Sequence, residues 1–317
     1  MQVQGTHSTV DTSWDRRGEL LARVATVNDL HLGEDVCGLL HGIDVGPTLQ
    51  AEPGDEPYPT VMSRAAVSEI SDVSPDVVVV KGDLTATGSA QEHDEFESLY
   101  RSVFGDRLVV TLGNHDKPHG GGFLPPYPPV QAVELPGVTL AVLDTARPGR
   151  PGGEVSTEQA EWLDELAGRS DRPLLVFGHH PPDGDDMHIF GDAAAEAACL
   201  DPDSTRRLAE IVTRRSMILG YFAGHTHRNK LRRLASTGAF PWVEVACVKD
   251  FPGSWAEYRI YEAGVLQVHH RISADPEALR WSERCRAMFA GLYPAYALGD
   301  DADRTFEIAL RADQRVF

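Results

Sequence analysis

Five short stretches of the 317-residue chain carry side chains that bind metal ions. They are Asp29-Leu30-His31, Gly82-Asp83, Gly113-Asn114-His115-Asp116, Gly178-His179-His180-Pro181 and Gly224-His225-Thr226-His227. Imidazoles mixed with carboxylates, with no thiolate among them, suit Zn, Fe, Mn, Ni or Co, whereas Ca takes all-oxygen shells. In an extended chain residues i and i+2 project to one side, so Asp29 with His31, and His225 with His227, can each offer two donors together. The glycines ahead of Asp83, Asn114, His179 and His225 permit tight turns of unusual φ, letting side chain and backbone approach an ion. Taken singly, each residue has an ordinary explanation: a turn cap for Asp29, a strand–helix junction for Asp83, a hydrogen-bonded core histidine for His179 or His225. Their joint occurrence does not, since at this composition one Gly-Asn-His-Asp tetrapeptide is expected by chance roughly once in a thousand such sequences.

Each stretch falls just after an apolar run of strand length. The runs are Arg23–Val27, Val77–Val80, Leu108–Leu112, Leu174–Phe177 and Ile218–Ala223, with a further one at Val138–Leu143. Helical patterns lie between several of them, at Thr60–Asp72, Gln91–Phe104, Thr157–Ala167 and Thr205–Ser216, which is the alternation of a layered α/β fold. Ser156 and Gln159 form a capping box for the third helix, and Gly168 is its expected stop. In open α/β sheets, ligands bind beyond the carboxyl ends of the strands, so loops from five strands can converge on one site.

After Thr226 the pattern turns to strands at Lys230–Leu234, Trp242–Val248, Tyr258–Tyr261 and Val265–Ile272, with a hairpin turn at Glu262-Ala263-Gly264. No linker-like tract interrupts residues 19–272, which read as one domain. Residues 1–18 form a polar segment without the apolar h-region of a secretory leader. Gly33–Pro59 reads as a long functional loop inserted into the domain. Residues 273–317 read as a helical extension in which Asp275-Pro276 opens a helix, Gly291–Asp303 interrupts, and a short helix closes. The run Pro125-Pro126-Tyr127-Pro128-Pro129 reads as a stiff surface loop.

Lys+Arg 29 against Asp+Glu 48 leave a formal charge of −19. That balance argues against nucleic-acid polymers and anionic membranes as partners. No apolar run approaches the ~20 residues that span a bilayer. Four scattered cysteines, without C-x-x-C spacing, fit a reducing, cytoplasmic setting as buried small hydrophobes. The 13 histidines are the unusual count, about twice average usage.

The ordered series from Asp29 to His227 resembles the signature of the calcineurin-like metallophosphoesterases. Gly82-Asp83-Leu84-Thr85, Gly113-Asn114-His115-Asp116, His179-His180-Pro181-Pro182 and the Gly153…Trp162-Leu163 helix are similar to bacterial class III cyclic nucleotide phosphodiesterases. The resemblance implies a four-layer α/β/β/α sandwich with two central mixed sheets and a site for two divalent metal ions, Mn, Fe, Zn or Co. One ion would take Asp29, His31 and His227, the other Asn114, His179 and His225, with Asp83 bridging. It also implies a catalytic His115, oriented by Asp116, and a metal-bridging hydroxide that attacks a small phosphodiester, with a 3',5'-cyclic nucleotide as the default. Phosphomonoesters, glycerophosphodiesters and nucleotide-sugar-like diesters remain open, because leaving-group recognition lies in loops. So does a non-catalytic metal-binding scaffold, although every ligand position is filled. The expected partner is a small phosphoester, and a homodimer is compatible.

His119 follows the Gly-Asn-His-Asp turn closely enough to touch a leaving group and is a candidate substrate contact. His180, His188, His269 and His270 match no motif position and read as structural. Asp144 either supports a ligand from behind or closes a loop. Asn28 stands where the first motif usually has Ser, and Pro118, after Lys117, where relatives often place Arg.

Overall fold

The computed structural model describes residues 17–40, 43–118, 122–189, 191–310 and 314. In chain order its strands are β1 (Leu20–Val27), β2 (Val36–Leu40), β3 (Ile43–Gln50), β4 (Val77–Lys81), β5 (Leu108–Thr111), β6 (Val130–Leu135) and β7 (Val138–Leu143). They continue with β8 (Leu174–Phe177), β9 (Ile218–Ala223), β10 (Lys230–Arg232), β11 (Trp242–Glu244), β12 (Ser254–Tyr261), β13 (Gly264–Arg271) and β14 (Phe306–Ala309). One sheet has the order β14-β13-β12-β1-β4-β5 and the other β10-β11-β9-β8-β7-β6. Both are mixed: β1, β4 and β5 are parallel, as are β7, β8, β9 and β11, and antiparallel strands flank each run.

The run Val77-Val78-Val79-Val80 shows how the layers are built. Val77 and Val79 point between the sheets, against Leu140, Val142, Phe177 and Phe222. Val78 and Val80 point to the opposite face, where Val61, Ile70, Phe96 and Tyr100 of the helical layer cover them. A strand buried on both faces needs no polar alternation, hence the unbroken apolar run. The second sheet is covered likewise by helices Thr157–Arg169 and Pro202–Arg214 through Leu163, Leu166, Leu208 and Ile211. The result is the α/β/β/α sandwich.

Several expectations are corrected. Helix Thr157–Arg169 runs past Gly168 and is capped at Ser170 instead. Gly33–Pro59 is no plain loop: β2 and β3 pair as an antiparallel hairpin, and helix Tyr58–Val73 starts within it at Tyr58. The tail is not helical throughout: helix Tyr293–Leu298 lies within the expected interruption, and Phe306–Ala309 pairs with β13 and extends the first sheet. Val130–Leu135, unassigned from sequence, is a half-exposed edge strand beside β7.

Beyond β9, a buried charge network fastens the sheet end to the segment after Pro182. Glu244 pairs with Arg228 (2.8 Å) and Arg232 (2.8 Å), and both arginines also reach Asp186 (2.6 and 2.9 Å). Burial alone would raise the Glu244 pKa, but Arg232 and Arg228 outweigh it and hold the carboxyl down at about 2. The folded value lies below the unfolded 4.5, so this stabilisation is present above pH 4.5 and is lost as pH falls toward 2. Glu244→Gln should therefore cost on the order of 3 kcal/mol near neutrality. In denaturant titrations it should also flatten the loss of stability across that acid range; an unchanged slope would show that the pair is not the source.

Candidate metal centre

All five motif loops meet at one end of the sandwich. The loops after β1 and β4 are joined main chain to main chain: Asp29 donates to the Gly82 carbonyl (3.0 Å), and Leu30 and His31 donate to that of Asp83 (2.8 and 3.0 Å). Gly224 donates to the His179 carbonyl (2.9 Å), joining the loops after β8 and β9. The side chains are aimed by left-handed backbone, with φ of 54° at Asp29, 48° at His31, 51° at Asp83, 68° at His225 and 53° at His227. Side chains other than glycine adopt such values only when surrounding structure compels them, and they cluster at functional sites.

This differs from the extended geometry expected of the paired motifs. Asp29 and His31 do converge, but His225 and His227 turn to different neighbours. The glycines differ too. Of those preceding the motif residues, Gly82 has positive φ, whereas Gly113, Gly178 and Gly224 are there for space. A Cβ at Gly113 would lie 2.1 Å from Asp83 Oδ1, and one at Gly178 would lie 2.3 Å from the Tyr221 hydroxyl.

Two donor groups share Asp83. Ligand atoms of Asp29, His31 and His227 lie within 4.8 Å of one another, and Asp83 forms such groups with Asp29 and His179 and with His31 and His115. On the other side, His179 Nε2 lies 3.2 Å from Asn114 Oδ1 and 3.2 Å from His225 Nδ1. Backbone carbonyls fix three rings: His179 Nδ1–H donates to Lys81 (2.7 Å), His225 Nε2–H to Ala197 (2.9 Å), and His115 Nδ1–H to Ala86 (2.9 Å). Each leaves its second nitrogen toward the site. His31 is buried with Nε2 in no hydrogen bond and 3.5 Å from Asp83 Oδ2, an arrangement a cation would resolve.

Protonation states fit the same purpose. Burial alone would raise Asp29 and Asp83, yet His227 for the first and His179 for the second hold them below the carboxylate range. Burial pushes His31 and His225 down to about 4, assisted by Lys249 and His179 respectively. Against burial, Asp83 lifts His179 to about 9. Ionised carboxylates and neutral imidazoles are the forms that bind metal; His227 too is held well above the ordinary histidine value, against burial, by Cys247, Asp29 and Asp250, and bound cations would displace the protons from His179 and His227. The residues present fit two divalent ions.

Other expectations resolve differently. Asp116 does not orient His115. It accepts from the main chain of Gly113, Leu84 and Thr85 and from the Thr85 hydroxyl (2.7 Å), so it holds the loop rather than the ring. Burial and then Asp83 push it up to about 6. His119 lies outside the described residues. His180 has both nitrogens engaged, with Thr145 Oγ1 and the Pro151 carbonyl (each 2.9 Å), and His188, His269 and His270 are bound to Asp183, Ser254 and Glu257. Asp144 closes a loop, pairing with Lys117 (2.7 Å) and accepting from Ala146 N. Two carboxylates beside the site, Glu34 and Asp250, carried no motif; Glu34 had only its i+3 spacing from His31 as a signal, and Asp250 had none.

The sandwich and its converging donor set define a metal-dependent phosphoester hydrolase. The model of the "Calcineurin-like phosphoesterase" family matches residues 22–229, and the chain belongs to that family. It is 24% identical over 208 residues to a "Probable cyclic nucleotide phosphodiesterase" of Synechococcus sp., covering 65% of this chain and 73% of the relative. It is 29% identical over 167 residues to "Glycerophosphodiester phosphodiesterase GpdQ" of Enterobacter lignolyticus, covering 48% and 56%. The fold matches a crystal structure of a dimetal phosphatase from Danio rerio at TM-score 0.61 and 14% identity, over 80% of this chain and 98% of the other. No helix among the described residues is long and apolar enough to cross a membrane.

Gly113→Ala should displace Asp83 and lower the metal content per chain well below that of the parent protein, measured by plasma mass spectrometry on folded material. Full metal content would show that the Asp83 position is not essential to the centre.

Proposed function

We propose that the chain is a two-metal phosphodiesterase that hydrolyses a small phosphodiester, with a 3',5'-cyclic nucleotide as the first substrate to test. The observation that carries the reading is the placement of His115 against a donor set built around a shared Asp83. Its ring meets that of His31 edge-on at 4.5 Å, and its main-chain N–H donates to Asp83 Oδ1 (2.9 Å). With Nδ1 held by the Ala86 carbonyl, Nε2 is the atom free to exchange a proton with a substrate.

Two divalent cations, when bound, supply Lewis acidity toward phosphoryl oxygens and make water nucleophilic at neutral pH. Asp29, His31 and His227 would hold one, Asn114, His179 and His225 the other, with Asp83 between them. The neutral amide of Asn114 limits the negative charge of the donor set. His115, protonated at Nε2, gives that proton to the departing alkoxide, a role typically worth 10²–10⁴ in rate. Asp116 and Thr85 hold the loop that keeps His115 in place.

Charge favours a diester. Lys117 is engaged by Asp144 and the Ala146 carbonyl, and Lys249 by Glu34, so neither lysine is free to meet the second charge of a phosphomonoester. The Synechococcus relative's name supports a cyclic nucleotide, and the Enterobacter relative's name makes glycerophosphodiesters the second reading. Four buried, unpaired cysteines support a reducing compartment.

Turnover of cyclic nucleotides, glycerophosphodiesters and phosphomonoesters with Mn, Fe, Zn or Co should be highest for a diester. His115→Ala should lose 10²–10⁴-fold on an alkoxide-releasing substrate and far less on bis(p-nitrophenyl) phosphate, whose phenolate leaves without a proton. Equal losses on both would remove His115 from the acid role, and monoester preference would overturn the diester reading.

A further inference from the structure

Among the site histidines, His179, His225 and His115 are each backed by a main-chain carbonyl. His31 and His227 are not. Each instead turns Nδ1 toward a carboxylate: Glu34 Oε2 at 3.3 Å from His31, and Asp250 Oδ2 at 3.6 Å from His227. These are the two histidines grouped with Asp29. A carboxylate behind a ligating imidazole fixes its tautomer and ring orientation and raises its basicity.

Both carboxylates are themselves held by segments outside the matched residues 22–229 or inserted within them. Asp250 is buried; its Oδ1 accepts from the Tyr293 hydroxyl (2.7 Å) and Cys247 Sγ (2.8 Å), while its Oδ2 accepts from Cys37 Sγ of the inserted segment (3.7 Å) and faces His227. Tyr293 belongs to the tail helix Tyr293–Leu298. Glu34 opens the inserted segment and is gripped by Lys249 Nζ (2.5 and 2.7 Å) and by the Tyr58 hydroxyl. The tail closes the arrangement: Trp281 of helix Pro276–Cys285 donates from Nε1 to the Lys249 carbonyl (2.9 Å) and stacks on Tyr58 at 4.1 Å. Lys249 and Asp250 are thus neighbours on one loop, one fixing the carboxylate behind His31 and the other forming the carboxylate behind His227.

We infer that Glu34 and Asp250 are positioning residues for His31 and His227, and that the inserted segment and the tail hold them through Tyr58, Trp281 and Tyr293. The inference rests on the two-cation reading and adds to it that one cation's histidines depend on parts of the chain beyond the shared core. Lys249 links the two carboxylates, so a change at either end is felt at both histidines. Tyr293→Phe removes one hydroxyl from a buried aromatic position and leaves the apolar contacts of the ring in place.

The test is titration of the metal-stripped full chain with Co²⁺ alone, following heat and the visible d–d bands, for the parent, Tyr293→Phe, Asp250→Asn and Glu34→Gln. Asp250→Asn and Glu34→Gln should each weaken one Co²⁺ step by 10–100-fold and alter its bands, leaving the other step within about twofold. Tyr293→Phe should move the same step in the same direction by less. Circular dichroism and melting temperature of Tyr293→Phe should match the parent. Two unaltered Co²⁺ steps in Asp250→Asn and Glu34→Gln, with a parent that binds two, overturn this inference alone. A parent that binds fewer than two ions overturns the two-cation reading and this inference with it.

Discussion

Asp29 and Asp83 are ionised carboxylates buried side by side, and much of the molecule is arranged around that fact. Desolvation opposes both charges and each disfavours the other, so the pair is tenable only where opposite charge and hydrogen-bond donors surround it. The protein supplies imidazoles on every side and donates the main-chain N–H of His225 to Asp29 and that of His115 to Asp83. Asn28 adds its amide to Asp29 at 2.5 Å. Divalent cations would complete what these donors begin and so tie metal binding to the stability of the fold end that holds the donors.

Holding the donors there requires strained backbone, and the sandwich provides the rigidity that sustains it. Five of the candidate ligands sit in left-handed conformations, each just beyond a strand of one of the two sheets. Strands buried on both faces cannot yield to relieve the loops, because moving one would open the valine-rich layers on either side. The glycines next to the ligands serve close approach as much as turning, and at Gly113 and Gly178 there is no room for a methyl group. A net charge of −19 is compatible with an anionic substrate because the field at the site would be set by local groups and by any bound cations, not by the whole chain.

Legibility varied with the range of the interaction. Val77–Val80 announced a doubly covered strand because burial on both faces leaves no alternative composition, and Ser156 with Gln159 announced a helix start because capping is local. Gly168 misled because a glycine carried inside the last turn of a helix looks the same in sequence as one that stops it. The hairpin Val36–Gln50 and the strand Phe306–Ala309 were hidden because short edge strands are defined by their partners rather than their own pattern. Asp116 misled in the same way, its adjacency to His115 in sequence placing it against the loop amides instead of the ring.

From the sequence alone came the layered α/β class, the identities of the donors, and their occurrence after successive strands, because ligand chemistry and strand burial constrain residue type at fixed local spacing. The tertiary structure alone decided that His225 and His227 part to different neighbours, and that a main-chain carbonyl aims His115. It alone brought Glu34 and Asp250, with Tyr293 from the tail, behind His31 and His227. Those arrangements depend on where distant loops cross and on which backbone is forced into left-handed turns, and neither leaves a pattern in neighbouring residues.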